Sequence, residues 1–242
     1  MIPVDNTPYD ENFYRAQKDG SYRSAELTIP VLFNYIPKPK TVVDVGCGLG
    51  TWLSVFKQHG AEVAGVDGSY VQKDMLYIDK EEFFEADLEN ESITNGGQRF
   101  DLAVSLEVAE HLSAKRAPTF IHDLTALSDM VFFSAAVPLQ GGTNHINEQW
   151  QSYWAKFFAD ENYVCLDCIR PQIWGENEIK VEYKQNILLY VKESALSNYP
   201  RLLEFYLARR HDKQHLDMIH PDNWLGVVHY MHELMRKQQG LQ

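Results

Sequence analysis

Cysteine is scarce in this chain: Cys47, Cys165 and Cys168 are the only three in 242 residues. An odd, sparse count builds no disulfide framework, which excludes the small stapled secreted proteins and fits a reducing cytoplasm. No apolar run approaches the roughly 20 residues of a membrane span. The opening Met1-Ile2-Pro3-Val4-Asp5 lacks a basic stretch followed by an apolar one, so neither a membrane partner nor a signal peptide is expected. Basic clusters are missing too, and the formal net charge is −12. Nucleic acid is held by a basic face, so it is not an expected partner. Internal repeats and low-complexity segments are absent.

Present instead is an ordinary globular balance, 45% hydrophobic and 23% charged, enough to bury a substantial core. The length suits one α/β domain with additions. The division expected is a main domain over 1–193, with an N-terminal arm, and a helical extension over 194–242. Residues 1–23 read as an arm with a short helical piece near 12–18. Residues 24–36 read as a helix with Ser24 as N-cap, stopped by Pro37-Lys38-Pro39. Short β-branched or apolar runs at 41–45, 62–66, 83–87, 100–106 and 130–137 read as strands, with two closing strands at 163–169 and 186–191. Helices are expected at 51–59, 113–127 and 147–159. Pro118 sits awkwardly inside the second of these, and Trp150, Tyr153, Trp154, Phe157 and Phe158 form an apolar stripe on the third. A loop with Pro171, Trp174 and Gly175 lies between the closing strands. The tail reads as helices interrupted near His220-Pro221. Strands alternating with helices predict βαβ units and a mainly parallel sheet, with the ligand beyond the carboxyl ends of the strands.

The most informative segment is Asp44-Val45-Gly46-Cys47-Gly48-Leu49-Gly50, where the first strand meets a helix. Glycines there let the backbone approach a ligand, and the helix start adds free N–H groups. The spacing is G-x-G-x-G, with the third glycine one residue early for a dinucleotide fingerprint, and no Lys-Ser/Thr ending of a phosphate loop follows. With its preceding valines the segment resembles motif I of class I S-adenosylmethionine (SAM)-dependent methyltransferases. Asp67-Gly68 resembles the acidic end of that family's second strand. Ala86-Asp87-Leu88 resembles the third-strand acid, and the run from Phe100 through Leu106-Glu107 to Glu110-His111 resembles the fourth-strand motif. The resemblance covers about residues 22–191.

It implies a Rossmann-like doubly wound mixed seven-stranded sheet of order 3-2-1-4-5-7-6, with helical additions at both ends, and SAM as cofactor. It also implies roles. Asp44 supports the methionine amino end, and Gly46, Cys47, Gly48 and Gly50 pass beside the cofactor. Asp67 and Gly68 meet the ribose, for which a carboxylate offers two strong acceptors to two hydroxyls. Asp87 and Leu88 lie near the adenine, and Leu106 and Glu107 flank the methionine. Tyr22 and Arg23 stand where relatives place groups for the methionine carboxylate.

Two histidines are candidate bases for a hydroxyl acceptor. His111 follows the fourth strand and His145 the fifth, within Gly141-Gly142-Thr143-Asn144-His145-Ile146-Asn147-Glu148-Gln149-Trp150. That second segment resembles one in bacterial methyltransferase-domain proteins of unassigned substrate. Glu148 is a candidate to orient His145 or bind substrate, and Trp150 and Trp154 are candidates for an acceptor wall, although a stripe at helical spacing is ordinarily core. Cys165-Leu166-Asp167-Cys168 is a lone pair of thiols short of a four-ligand zinc site. The scattered histidines show no metal constellation, so no metal is expected. The expected reaction is methyl transfer to a small-molecule or saccharide hydroxyl. The alternatives are a non-catalytic SAM-binding scaffold and an NAD-dependent oxidoreductase; the glycine spacing and the lack of a recognisable catalytic Tyr-x-x-x-Lys pair weigh against the latter. The tail fits a cover over the cleft, a homodimer contact or a solvated appendage.

Overall fold

The computed structural model describes residues 11–93, 97–211 and 215–238. Seven strands, β1 (Thr41–Val45), β2 (Glu62–Asp67), β3 (Phe83–Glu85), β4 (Leu102–Leu106), β5 (Met130–Ser134), β6 (Tyr163–Leu166) and β7 (Leu188–Lys192), form one sheet. Its order is β3-β2-β1-β4-β5-β7-β6, as the resemblance implies. The first five pair in parallel; β7 runs antiparallel to both β5 and β6. Parallel strands covered on both faces need apolar residues in succession, not alternation. β4 and β5 meet that need with five buried residues each.

The period-2 pleat divides those residues between two cores. Val42, Val63, Leu102, Val104 and Phe132 face α1 (Glu11–Leu32) and α2 (Thr51–Gln58). Val43, Ala64, Ala103, Val131 and Phe133 face α3 (Ala117–Leu127) and α4 (Gln151–Asp160).

Several boundaries differ from expectation. The arm and the 24–36 helix are one continuous α1, in which Ser24 is interior: its hydroxyl donates to the Gly20 carbonyl at 2.6 Å. The buried row Ser21, Ser24, Ala25, Thr28 and Ile29 packs toward the sheet, and that burial outweighs the helix penalties of Gly20 and Pro30. Residues 1–10 of the expected arm lie outside the described residues. The helix also stops at Leu32, before Pro37, with the Leu32 carbonyl accepting from the Tyr35 and Ile36 amides at 2.9 and 3.2 Å. α3 begins at Ala117, so Pro118 stands in the first turn, where its missing N–H is no loss. The expected loop after β6 contains two short helices, α5 (Arg170–Ile173) and α6 (Val181–Asn186).

The tail forms α7 (Pro200–Arg209) and α8 (Pro221–Gln238). Its connection is fastened to the main sheet domain. Fully buried Arg170 forks onto Asp167 at 2.9 and 2.7 Å and donates to the Leu216 carbonyl at 3.0 Å. The Gln151 amide exchanges bonds with the Met218 backbone at 3.1 and 3.3 Å. Among the described residues, no helix is long and apolar enough to cross a membrane.

Candidate active site

A cavity of about 1160 Å³ opens beyond the carboxyl ends of β1 to β5. Its first end is built by the turns after β1 and β2. At Gly46 the backbone has φ +85°, and a Cβ would lie 2.3 Å from Val108 Cγ2, so only glycine permits this turn. Gly48 faces open space, with nothing within 4 Å of a built Cβ. Its amide donates to Asp67 Oδ2 at 2.7 Å, which ties the glycine loop to the end of β2. Asp67 Oδ1 accepts from the Gly68 amide at 2.7 Å and from the Tyr70 hydroxyl at 2.5 Å. Asp44 is buried, and its Oδ1 has no hydrogen-bond partner. Burial, and then the charge of Asp67, push the Asp44 carboxyl well above its ordinary range; burial also raises Asp67, against the three bonds it accepts. Two buried carboxylates aimed into one open space suit a ligand rich in N–H and O–H donors.

Cys47, Gly48, Gly68, Leu88 and Leu106 line this cavity with the two aspartates. Gly50 sits behind it as the left-handed N-cap of α2, φ 77°, against Ile78. Asp87 is exposed at the cavity's rim, and its carboxylate is occupied by the Asn90 side chain at 2.8 Å and the Glu89 amide at 3.0 Å. Burial pushes the Cys47 thiol well up, so it offers an apolar wall and no thiolate.

The far end is assembled from distant segments. Glu107 follows β4 with φ 57°, a left-handed position costly for a residue with a side chain. Gln140 Nε2 and Asn186 Nδ2 donate to its two carboxylate oxygens at 2.7 and 3.1 Å. Burial, then the charge of Glu182, raise Glu107 to about 7. Beside it Glu110 is fully buried, and its backbone carbonyl accepts from the Ile146 and Asn147 amides at 2.9 and 3.0 Å. Those bonds draw the loop after β5 inward, so that the His111 and His145 rings meet edge to face, centroids 4.8 Å apart. His145 Nδ1 lies 2.9 Å from Glu148 Oε1. Burial, and secondarily His145, hold the His111 imidazole below its ordinary value, so it is neutral at neutral pH.

Two expectations are corrected. Arg23 does not reach the cavity: its guanidinium pairs with Glu178 at 3.0 Å and Glu26 at 3.2 Å on the exposed face of α1. Tyr22 points elsewhere as well, its hydroxyl accepting from Gln58 Nε2 at 2.8 Å. The α1 residue at the cavity is Ser21, held by Thr51 and Tyr183 at 3.2 and 3.0 Å. Trp154 is no acceptor wall; it is 1% exposed and packs on Phe133 with centroids 5.6 Å apart. Trp150 precedes α4 and is not at the cavity. Glu148 lies behind His145, accepting from the Leu139 and Gly141 amides at 2.8 and 2.7 Å. Ligand-type atoms of Glu110, His111 and His145 also converge, all within 4.8 Å of one another, a convergence that no spacing announces because His145 lies far downstream. Gln140, Asn186 and Asn223 were missed; nothing marks an isolated amide in a sequence, whereas Glu110 is signalled by its place beside His111.

Solved structures share this architecture. A magnesium protoporphyrin IX methyltransferase from Synechocystis PCC 6803 with bound SAH aligns over 76% of this chain and 90% of its own, with TM-score 0.55 at 20% identity. An O-methyltransferase family protein from Burkholderia thailandensis aligns over 76% and 60%, with TM-score 0.54 at 16% identity. The fold is therefore the Rossmann-like one of class I methyltransferases. A ubiquinone biosynthesis O-methyltransferase of Coxiella burnetii is 32% identical over 105 residues, covering 38% of this chain and 44% of that protein; the chain thus matches less than half the length of its curated relatives. The family model for a methyltransferase domain matches residues 15–165, and the chain belongs to this methyltransferase-domain family. Membership favours the methyl-transfer expectation over the nicotinamide one.

Proposed function

We propose that the protein transfers a methyl group from SAM to a hydroxyl of a small-molecule or saccharide acceptor, leaving S-adenosylhomocysteine. The observation that carries this reading is one cavity with two chemically distinct ends. At the first, the unpartnered Asp44 Oδ1 and the presented Asp67 carboxylate suit an ammonium group and a ribose diol. At the second, two imidazoles stand over the remaining space. The volume of about 1160 Å³ exceeds that of an ordinary single-ligand pocket of roughly 300–1,000 Å³, which leaves room for a cofactor and an acceptor together.

When bound, SAM supplies a sulfonium-activated methyl carbon. The chain's contribution is alignment, with the acceptor oxygen held in line with that carbon, and acceptance of the hydroxyl proton at an imidazole nitrogen, for which His145 and His111 are the candidates. The Tyr70 hydroxyl engages Asp67 Oδ1, an oxygen suited to a ribose hydroxyl, so a bound cofactor would exchange one hydroxyl for another there. Oxygen is favoured as the accepting atom by the histidines and by the name of the curated relatives, ubiquinone biosynthesis O-methyltransferase.

Calorimetric titration with SAM, S-adenosylhomocysteine and NAD, each alone, tests the cofactor. Saturable binding of the first two without NAD is expected; binding of NAD alone overturns the reading. Once an acceptor is found, His145→Ala is expected to lower turnover by at least about 100-fold with SAM affinity kept. Full activity removes His145 from the chemistry.

A further inference from the structure

We propose that Glu110, His111 and His145 form a binding site for one divalent metal ion at the acceptor end of the cavity. One carboxylate oxygen and one nitrogen from each imidazole lie within 4.8 Å of one another, and Glu110 Oε1 is 3.9 Å from His145 Nε2. Donors about 2.0–2.1 Å from a shared cation sit roughly 3.4 Å apart in a tetrahedron and up to about 4.2 Å apart across an octahedron. Side-chain rotations on the order of 1 Å close the set. All three residues line the cavity, so the ion's remaining positions face the acceptor.

Three observations favour a ligand set over a structural cluster. Both oxygens of Glu110 are buried without a hydrogen-bond partner; the amides of Glu110 and Ala136 face them outside hydrogen-bond geometry. A carboxylate taken from water and left unpaired is costly, and among the described residues its one ion-pair contact is His145 Nε2 at 3.9 Å. His111 Nδ1 is likewise buried and unpartnered. His145 supplies the third observation. Its Nδ1 is engaged by Glu148, itself clamped by two backbone amides, which leaves Nε2 toward Glu110. A carboxylate on the outer nitrogen is the usual support of a metal-ligating imidazole. The ring fits there because residue 142 has no side chain: a Cβ on Gly142 would lie 2.3 Å from His145 Nε2. Two imidazoles with one carboxylate suit the borderline cations Zn²⁺ and Co²⁺ better than Ca²⁺ or Mg²⁺, with the harder Mn²⁺ between them.

The catalytic role of this ion rests on the methyl-transfer reading; its binding does not. Coordination would lower the pKa of an acceptor hydroxyl. The O–H proton then passes to water as the C–O bond forms, and the methyl–sulfur bond breaks with its electron pair left on sulfur. The histidines act as ligands, and coordination replaces the imidazole base of the metal-free scheme.

The test is calorimetric titration of the chelator-stripped full chain with Zn²⁺, Co²⁺ and Mn²⁺ separately, without SAM or acceptor. One ion per chain is expected for at least one of them, with affinity reduced at least about 100-fold in Glu110→Gln and in His111→Gln. Loss of the outer support in Glu148→Gln is expected to cost about 10–100-fold. His122→Gln, at an exposed pair with Glu161, is the unchanged control. If circular dichroism shows Glu110→Gln unfolded, the partly accessible His145→Gln decides in its place. No saturable binding, or binding equal in wild type and ligand variants, overturns the site. Metal binding without SAM binding keeps the site and rejects methyl transfer; SAM binding without metal does the reverse.

Discussion

The two ends of the cavity differ in how the chain makes them. The Asp44–Asp67 end comes from the turns after two adjacent parallel strands, in register from Thr41 opposite Glu62 to Val45 opposite Val66. One loop amide, that of Gly48, joins them. The other end draws on the turn after β4, the loop after β5, α6 and the start of α8. Asn186 and Gln185 bridge Glu107 and Gln140 to the His220 backbone and Asn223. A site encoded in two neighbouring turns can persist while its surroundings change. One encoded across four segments depends on the particular packing of this chain, which is where acceptor specificity would reside.

The largest effect expected separates the cavity from the core behind it. Trp154 lies in the core with Phe133 and Phe158. Trp154→Ala is therefore predicted to cost about 3–5 kcal/mol in urea unfolding, with SAM affinity of the folded fraction unchanged. Trp154→Phe should cost much less, since the indole N–H it removes has no partner. Mild destabilisation by the alanine, with a selective rise in acceptor KM, would restore Trp154 to the acceptor wall.

Next in size is the carboxylate that holds the first end together. Asp67→Ala removes the acceptor for the Gly48 and Gly68 amides and the proposed ribose contacts. Hydrogen bonds to a charged group are worth about 1.5–3 kcal/mol, so SAM affinity is predicted to fall on the order of 100-fold, while metal binding at Glu110 persists. Unchanged SAM affinity would move the cofactor away from this end.

The same contrast explains what the sequence made legible. The strands and the glycine turn could be read because each rests on local pattern: β-branched runs, and glycines where a strand meets a helix. The strand order was legible only through the resemblance that motif I carries. Periodicity also identified the α4 stripe, but could not say which neighbour covers it. Trp154 and Trp150 were grouped on one face, and the structure separates them because the helix begins at Gln151, after Trp150. The Glu110–His111–His145 set was illegible for the opposite reason. Its members are brought together by Glu110 backbone bonds to the Ile146 and Asn147 amides, a long-range pairing that no spacing announces.

A smaller effect concerns pH. Burial raises the carboxyls of both Asp44 and Asp67, so each takes up a proton at a higher pH than it would in the unfolded chain. Acidification therefore removes acceptors from the cofactor end early. It does not weaken the fold through these two groups, because the folded state binds their protons more tightly than the unfolded one. SAM affinity is predicted to fall several-fold as the pH is lowered from neutrality toward the ordinary carboxylate range, before any loss of ellipticity, and Asp44→Asn should flatten the profile. A wild-type profile that stays level to about pH 5 would mean that cofactor binding changes the protonation of neither group, against their raised pKa values in the free cavity.

The smallest effect is a predicted silence at Arg23, and it bears on the cofactor end most directly. Ser21 faces the cavity, and two residues along an α-helix is a rotation of about 200°. Arg23 is thereby turned to the outside, where Glu26 and Glu178 hold it. Exposed ion pairs contribute little, so Arg23→Ala should leave SAM affinity within about twofold and the melting temperature within about 2 °C. A tenfold loss of SAM affinity would instead require the guanidinium to leave both glutamates and swing over the helix. The methionine carboxylate would then be met by a cation recruited only on binding, and the cofactor end would no longer be the preformed half of the site.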